Sequence, residues 1–232
     1  MLIQEYILLL SINPEALQQA QNVLGNILEN KDDYDLLKSA ILRRLQKDAQ
    51  NVVLTEFLAW QYVQQKDFDM ALRQTLALDR RLKEDGVRVF DLSKLLVANQ
   101  AYEQGIEALN YLVAKGEKSR YYIAAKIDLL NLKAKQLYSG KLDKANLLTL
   151  ESDYQSLLKE FGRSSGTAFA IRQLANLQAF YLRKPEESAI QLQKLLELPG
   201  ITPAVIAQTK LELGDIYTLS GEVWEAALIF GQ

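Results

Sequence analysis

The sequence predicts an all-α fold of stacked antiparallel helical hairpins with no β-sheet. Two observations support this fold class. The composition is 49% hydrophobic and 24% charged, and its richness in Leu, Ala, Gln and Lys favours helix. Apolar residues also recur in one register with a period of about 34 residues, which fits a unit of two short helices and their turns.

The period is visible in five columns of equivalent residues. Most positions within a column match in size and polarity, which a generic amphipathic helical protein would not produce. Departures are Leu37, which is large where its equivalents are small, Thr75, which replaces an apolar residue, and Asp48, which stands where Pro14 closes the preceding half-repeat. The columns are Leu24, Leu58 and Leu92; Gly25, Ala59 and Ser93; Leu28, Tyr62 and Leu96; Tyr34, Phe68 and Tyr102; and Leu37, Ala71 and Gly105.

The first part of the chain is predicted to hold a half-repeat at residues 1–13 and three regular hairpins. Asn13 can cap the helix that follows, and Pro14 can occupy its first turn. Gly86 and Gly116 stand where helices are expected to stop with left-handed C-terminal caps. The three hairpins cover about residues 14–49, 51–84 and 87–115.

The later hairpins are longer. Ser119 is the expected N-cap of a hairpin at residues 119–161, with Ala145 as the small residue of its second helix. Pro185 opens the second helix of a hairpin at residues 167–198, where either Ser188 or Ala189 is the small residue. A truncated hairpin is predicted at residues 203–232.

This last hairpin carries the pattern of a known family. Small residues stand where its two helices cross, aromatic residues stand beside the crossing, and a glycine separates the helices. These residues are Leu213, Gly214, Tyr217, Gly221, Val223, Ala226 and Phe230. The pattern resembles the tetratricopeptide repeat (TPR).

The resemblance implies a single TPR-like array over residues 1–232. In this family the hairpins stack into a right-handed α-solenoid, with first helices on the concave side and second helices on the convex side. Because half-repeats stand at both ends, the sequence predicts an internal fragment of a longer bacterial repeat protein.

The chain has no cysteine and no histidine, which removes thiol nucleophiles, imidazole bases and Cys/His zinc sites. Acidic residues at turns, such as Asp32 with Asp33 and Glu186 with Glu187, are explained by helix dipoles. We therefore expect no catalytic residues, no metal, no cofactor and no enzymatic activity.

The formal net charge of -2 and the absence of base-reading residues at equivalent repeat positions argue against nucleic-acid binding. No apolar run reaches the roughly 18 residues that span a bilayer, so no membrane insertion is expected within the fragment. The acidic residue Glu5 and the lack of a basic start argue against a secretory signal. The compartment stays open between cytoplasm and periplasm.

A ligand groove is predicted on the concave side. In each first helix, the residues one after, three before and five after the small residue point there in the family that the chain resembles. The resulting candidates are Asn22, Asn26, Asn30, Glu56, Trp60, Gln64, Phe90 and Lys94. Amides can hydrogen-bond a peptide backbone or sugar hydroxyls, and the aromatic residues are suited to apolar anchoring.

Two functions of different classes remain at this point. One is a protein-interaction scaffold that holds a peptide or helical segment of a partner; the other is a glycan-binding accessory protein of a bacterial cell envelope. An open Trp60 ring beside Asn26 and Asn30 would favour a sugar. The carboxylate clamp of the best-known peptide-binding TPR proteins is not expected, because Lys94 is the only basic candidate. Exposed repeat ends are also predicted to allow dimerisation by stacking.

Overall fold

The computed structural model describes residues 2–140 and 143–231. These residues form thirteen α-helices, two 3-10 turns and one π-helical turn, with no β-strand among them. The predicted all-α class of helical hairpins is confirmed. The chain divides into two compact units, Met1–Lys115 and Gly116–Gln232, each with its own apolar core.

The first unit contains seven helices. Within it, α4 with α5 and α6 with α7 form hairpins, α5 on α6 joins these two hairpins, and α3 packs on α4. Helix α1 packs against both α3 and α4, and α2 packs on α4. The bounds are α1 Leu2–Ile12, α2 Leu17–Ile27, α3 Lys31–Lys47, α4 Val52–Gln64, α5 Phe68–Leu82, α6 Val87–Ala98 and α7 Tyr102–Ala114.

The second unit contains six α-helices. Helices α8 and α9 pack together, α10 packs on α9 and α11, and α12 packs on α11 and α13. The π-helical turn Leu177–Tyr181 extends α10. The bounds are α8 Tyr122–Ser139, α9 Lys144–Phe161, α10 Ala168–Asn176, α11 Pro185–Leu196, α12 Pro203–Ser220 and α13 Val223–Phe230.

Three of the five predicted columns are buried throughout: the columns that begin at Leu24, Leu28 and Leu37. Gly25 differs, since it is exposed and leaves room for the indole ring of Trp60, whose Cζ2 would lie 3.4 Å from an added Cβ. At Gly214 an added Cβ would overlap the ring of Phe230. The absence of a side chain at Gly214 therefore lets an aromatic ring approach the backbone of a helix, whereas an added Cβ at Gly25 would make only an ordinary contact.

The hairpin turns share one backbone feature. In four hairpins a residue with positive φ lies five positions before the small residue of the second helix. Three of the four are not glycine. The hairpin turn therefore stabilises a left-handed backbone conformation that is unfavourable for these residues. The residues are Lys66 (φ 58°), Gln100 (φ 62°), Arg183 (φ 58°) and Gly221 (φ 78°).

This turn register decides between the two candidates for the small residue of α11. Ser188 lies five positions after Arg183, and its side chain has no exposed surface. In regular hairpins a backbone N–H after the turn reaches back five residues, as from Asp67 to Tyr62. Here the bond runs from Lys184 to Gln178, one residue further. The π-turn therefore contains one extra residue compared with the regular hairpins.

Three predicted details are wrong. Helix α5 ends in a left-handed cap at Lys83 (φ 53°), while Gly86 (φ 93°) immediately precedes α6. Helix α8 begins at Tyr122, and Ser119 lies in the preceding turn, where its Oγ accepts from the Tyr121 N–H. Ala145 is exposed in the first turn of α9, and the large residue Leu147 is the first to reach the core.

Two buried carboxylates, one in each unit, are paired with basic groups. Asp79 has no exposed surface and accepts from Lys115 Nζ and the Tyr111 hydroxyl, each at 2.7 Å. Glu151 accepts from Gln178 at 2.6 Å and from Lys184 at 2.8 Å. Such pairs fix which surfaces of neighbouring helices meet, because a shifted contact would leave a buried charge unpaired.

Arg172 on α10 makes the most buried ion pair of the second unit. The residue is 3% exposed, and its guanidinium donates to both carboxylate oxygens of Glu212 and, at 3.0 Å, to Gln208 on the same helix, α12. The fork of donors on arginine matches a carboxylate, so the pair sets the contact of α10 with α12.

We expect Ala71→Leu to destabilise the first unit by about 1–3 kcal/mol, because the added atoms have no space at a fully buried helix crossing. Urea unfolding followed by circular dichroism measures the change. Ala77→Leu is the matched control, since Ala77 is exposed on the same helix. Equal unfolding midpoints for the two variants would contradict the assigned crossing.

We expect Arg172→Leu alone to destabilise the second unit by about 3–5 kcal/mol, because Glu212 is left without its charged partner. The double variant Arg172→Leu, Glu212→Leu removes both charges and is expected to recover much of that loss. A double-mutant cycle by urea unfolding measures the coupling. Additive effects of the two single changes would show that the pair does not act as a unit.

Candidate functional site

The candidate groove residues of α2 are two exposed amides one turn apart. Asn22 and Asn26 both face solvent, and Asn22 Oδ1 accepts from Gln18 Nε2 at 3.0 Å. Asn30 lies beyond the end of the helix at Ile27 and caps α3, with its Oδ1 accepting from the Asp33 N–H at 3.0 Å. The α2 surface therefore offers amide donors and acceptors at helical spacing.

Trp60 on α4 lies in the contact between α2 and α4. Its ring is half-buried and parallel to that of Phe57, with centroids 5.4 Å apart and planes 12° apart. Its edge lies against Gly25 of α2. Packing therefore holds the ring in one orientation, and Phe57 covers one of its faces.

Glu56, one turn before Trp60, is neutralised by a residue that the sequence reasoning missed. Arg88 at the start of α6 forms ion pairs with both Glu56 and Glu84. Burial lowers the pKa of the Arg88 guanidinium, but the hydrogen bonds to the two carboxylates outweigh this and raise it. The sequence does contain a signal for this ion pair: the basic residue Arg88 lies about one repeat after the acidic residue Glu56, at the start of the next first helix.

Phe90 and Lys94 form the corresponding pair on α6. The Lys94 ammonium lies 4.2 Å from the centroid of the Phe90 ring, which is a cation–π contact. Lys94 is exposed and Phe90 is half-buried. The pair presents a positive charge above an apolar surface.

Six of the eight candidates form three pairs spaced i and i+4, one pair each on α2, α4 and α6. We call the set Asn22, Asn26, Glu56, Trp60, Phe90 and Lys94 the first-helix surface. The Trp60 contact with Gly25 joins α2 to α4, and the Arg88 ion pair with Glu56 joins α4 to α6. Of the other two candidates, Gln64 is the last residue of α4 and Asn30 is the N-cap of α3.

Asn30 and Gln64 line an open cleft of about 520 Å³ at the hairpin turns. The cleft contains an ion pair: the Lys38 ammonium and the Asp35 carboxylate, both on α3, lie 3.0 Å apart. The hydrogen bond from Lys38 lowers the pKa of Asp35. The lining residues are Glu29, Asn30, Lys31, Tyr34, Asp35, Lys38, Gln64, Gln65 and Asp67.

The long helices α8 and α9 of the second unit are the alternative surface. A cleft of about 280 Å³ lies between them, and its charged residues are already paired. Lys126 donates to Glu160 at 2.8 Å, and Lys133 pairs with Asp153. A ligand here would have to compete with these ion pairs, so the first-helix surface is the better candidate.

Two tyrosines of this second unit are removed from water, Tyr154 fully and Tyr138 in part. The ring of Tyr138 stacks on that of Tyr181 in the π-turn, with centroids 4.4 Å apart and planes 7° apart. Burial raises the pKa of Tyr138 to about 12. Burial also raises the pKa of Tyr154, whose hydroxyl donates to Asn131 at 3.1 Å.

Among residues 2–140 and 143–231, no group of three or more Asp or Glu side chains is arranged to hold a metal ion. Over the same residues no helix combines the length and hydropathy needed to cross a bilayer.

Comparison with known proteins gives fold neighbours only. No protein-family model and no curated sequence matches the chain. The structure of BtubC (BKLC) from P. vanneervenii superposes with a TM-score of 0.54 at 17% identity, covering 85% of each chain. The thermophilic TPR protein TTC0263 of Thermus thermophilus superposes with a TM-score of 0.52 at 16% identity, covering 76% of this chain and 87% of that one. These likenesses confirm the TPR-like fold.

We expect the stability of the second unit to fall as the pH rises from about 10 to about 12. The unfolded Tyr138 ionises near pH 10, whereas in the folded protein its pKa is raised to about 12. The unfolded state therefore loses its proton first, and its stability relative to the fold increases over this window. Urea unfolding at pH 9, 10 and 11 measures the slope.

The variant Tyr138→Phe removes the titrating hydroxyl and is expected to flatten this slope. Tyr6→Phe in the first unit is the control, because it removes a phenol outside the Tyr138 and Tyr181 stack. Identical slopes in Tyr138→Phe and the wild type would show that Tyr138 is not shielded.

Proposed function

We propose that this TPR-like repeat protein is a non-enzymatic scaffold that holds a peptide or helical segment of a protein partner on its first-helix surface. The observation that carries the proposal is the succession of three i, i+4 pairs on α2, α4 and α6. Each pair offers a different contact: amides on α2, a fixed aromatic ring on α4, and a cation above an aromatic ring on α6. A continuous chain segment can engage all three.

The chemistry of the surface favours a polypeptide partner. Asn22 and Asn26 can both donate to and accept from a peptide backbone, which carries one donor and one acceptor per residue. The half-buried Trp60 can anchor an apolar side chain without much loss of rotamer freedom, because Phe57 and Gly25 already hold it in place.

The charges of the first-helix surface indicate which partner segments suit it. Glu56 is paired with Arg88, so Lys94 is the principal exposed charge of the first-helix surface. A single exposed cation suits an acidic side chain or a neutral polar segment. It does not provide the paired basic groups that clamp a terminal carboxylate.

The glycan alternative is less well supported. A sugar-binding platform needs one open aromatic face with amides converging beside it, whereas Trp60 is half-buried, with its edge against Gly25. The Asn30 side-chain oxygen is already used by the α3 cap, and this residue lines the turn cleft instead. These placements favour the protein-scaffold function over sugar binding.

Site-specific photo-crosslinking tests the proposal. A photoreactive phenylalanine analogue at Asn26 or Lys94 is expected to capture one partner protein, while the same analogue at Arg73 or Glu107 captures none of it. All four positions are exposed, but Arg73 and Glu107 lie on the second helices α5 and α7. The unlabelled variants are checked by circular dichroism for an unchanged fold.

Mass spectrometry of the crosslinked peptides identifies the contacting segment. We expect Asn22→Ala with Asn26→Ala to reduce the yield from Lys94 by roughly tenfold, the cost of losing about 1.4 kcal/mol of hydrogen bonding. Equal labelling from first and second helices would contradict the proposal. Capture of a glycan rather than a protein would favour the alternative.

A further inference from the structure

Helix α13 exposes a large apolar surface. Trp224 is 86% exposed and Leu228, one turn later, is 67% exposed. Tryptophan and leucine exposed to this extent on neighbouring turns mark a binding surface more often than a solvated one. Part of the apolar surface of α13 is explained by the stacking of helical hairpins.

Alignment on the small residues Ala226, Ala71 and Gly105 makes α13 equivalent to α5 and α7. One stripe of α13 then matches positions that neighbouring helices cover in the first unit, since Leu72 on α5 and Leu109 on α7 are buried. Stacking of a further helix would explain the apolar character of this stripe. The equivalent sets are Val223, Ala227 and Phe230; Phe68, Leu72 and Thr75; and Tyr102, Ile106 and Leu109.

Trp224 and Leu228 belong to a different stripe. The equivalent residues are Asp69 and Arg73 on α5, and Glu103 and Glu107 on α7. All four are charged and exposed. Hairpin stacking therefore does not account for an apolar pair at these positions. We call Trp224 and Leu228 the α13 strip.

The surroundings of the α13 strip are acidic. Residues 211–231 contain four carboxylates and no lysine or arginine. One carboxylate, Glu212, is used by Arg172, whereas Glu222 and Glu225 are exposed on either side of Trp224 along the chain. On α11, the exposed residue equivalent to Trp224 is also acidic, Glu186, and the residue equivalent to Leu228 is the exposed Ile190.

We propose that the α13 strip docks an amphipathic helix of a partner protein whose apolar side chains are flanked by lysine or arginine. The i, i+4 spacing of Trp224 and Leu228 suits side chains projecting from one face of a second helix. The carboxylates of Glu222 and Glu225 supply charge complementarity and steer the basic partner. The α13 strip shares no residue with the first-helix surface, and the proposal does not depend on ligand binding there.

The acidic surroundings disfavour two other occupants. A second copy docked through the same surface would bring its own Glu222 and Glu225 against these carboxylates. An anionic membrane surface would repel them for the same reason. Charge therefore selects the basic helix over the self-contact and over the lipid.

Fluorescence of the full chain tests the proposal. The chain has two tryptophans, so Trp60→Phe leaves Trp224 as the only reporter. The probe is a synthetic 18-residue peptide of leucine and lysine in an amphipathic helical pattern. Its controls are a leucine and glutamate peptide of the same pattern, and a scrambled leucine and lysine peptide. We expect saturable blue-shifted emission with the first peptide only.

Matched variants in the same background locate the site. Leu228→Ser is expected to weaken binding by at least about tenfold. Leu148→Ser, at a leucine that is 44% exposed on α9, is expected to leave it unchanged. Replacing Glu222 and Glu225 by lysine is expected to reverse the preference toward the glutamate peptide. Circular dichroism establishes that each variant folds.

Several results would overturn the proposal. Equal binding of the basic, acidic and scrambled peptides would show that the α13 strip is a non-specific apolar surface. A concentration-dependent dimer in sedimentation, lost in Leu228→Glu, would identify a second copy as the occupant. A blue shift with vesicles of anionic lipid would also refute the proposal. So would the absence of a blue shift with all three peptides. None of these outcomes bears on crosslinking at Asn26 or Lys94.

Discussion

The structure depends on the burial of one apolar face of each helix by its sequence neighbours. Within each unit, helices of neighbouring hairpins cover these faces, so each hairpin supplies a surface that its neighbour fits. Small residues set how closely the helices approach, and aromatic rings fill the space beside them. The overlap that an added Cβ at Gly214 would make with Phe230 shows how little tolerance remains.

Buried charge adds specificity to this apolar packing. Asp79, Glu151 and Arg172 are each less than about a tenth exposed, and each is paired with a group on another element. Apolar surfaces alone permit several helix alignments of similar energy. A buried ion pair permits fewer, because any shift leaves a charge without its partner.

The repeat register was predictable because period and residue size are properties of the sequence. Ser119, Gly86 and Ala145 were wrongly assigned for physical reasons. Lys83 adopts a left-handed conformation that glycine was expected to take, and the period is lost where helices lengthen. The groove positions followed from the period, but the neutralisation of Glu56 by Arg88 did not, because it depends on the approach of two separate helices. The single array over residues 1–232 stays a prediction.

The π-helical turn at Leu177–Tyr181 accommodates one additional residue between Ala175, which is buried, and the turn residue Arg183. An inserted residue in a regular helix would rotate everything after it by about 100° and disturb the packing downstream. Here the bulge absorbs the insertion locally, so α11 keeps its place beside α12. Repeat proteins with this device can change length one residue at a time, and selection can then act on new outward-facing side chains while the inherited core is retained.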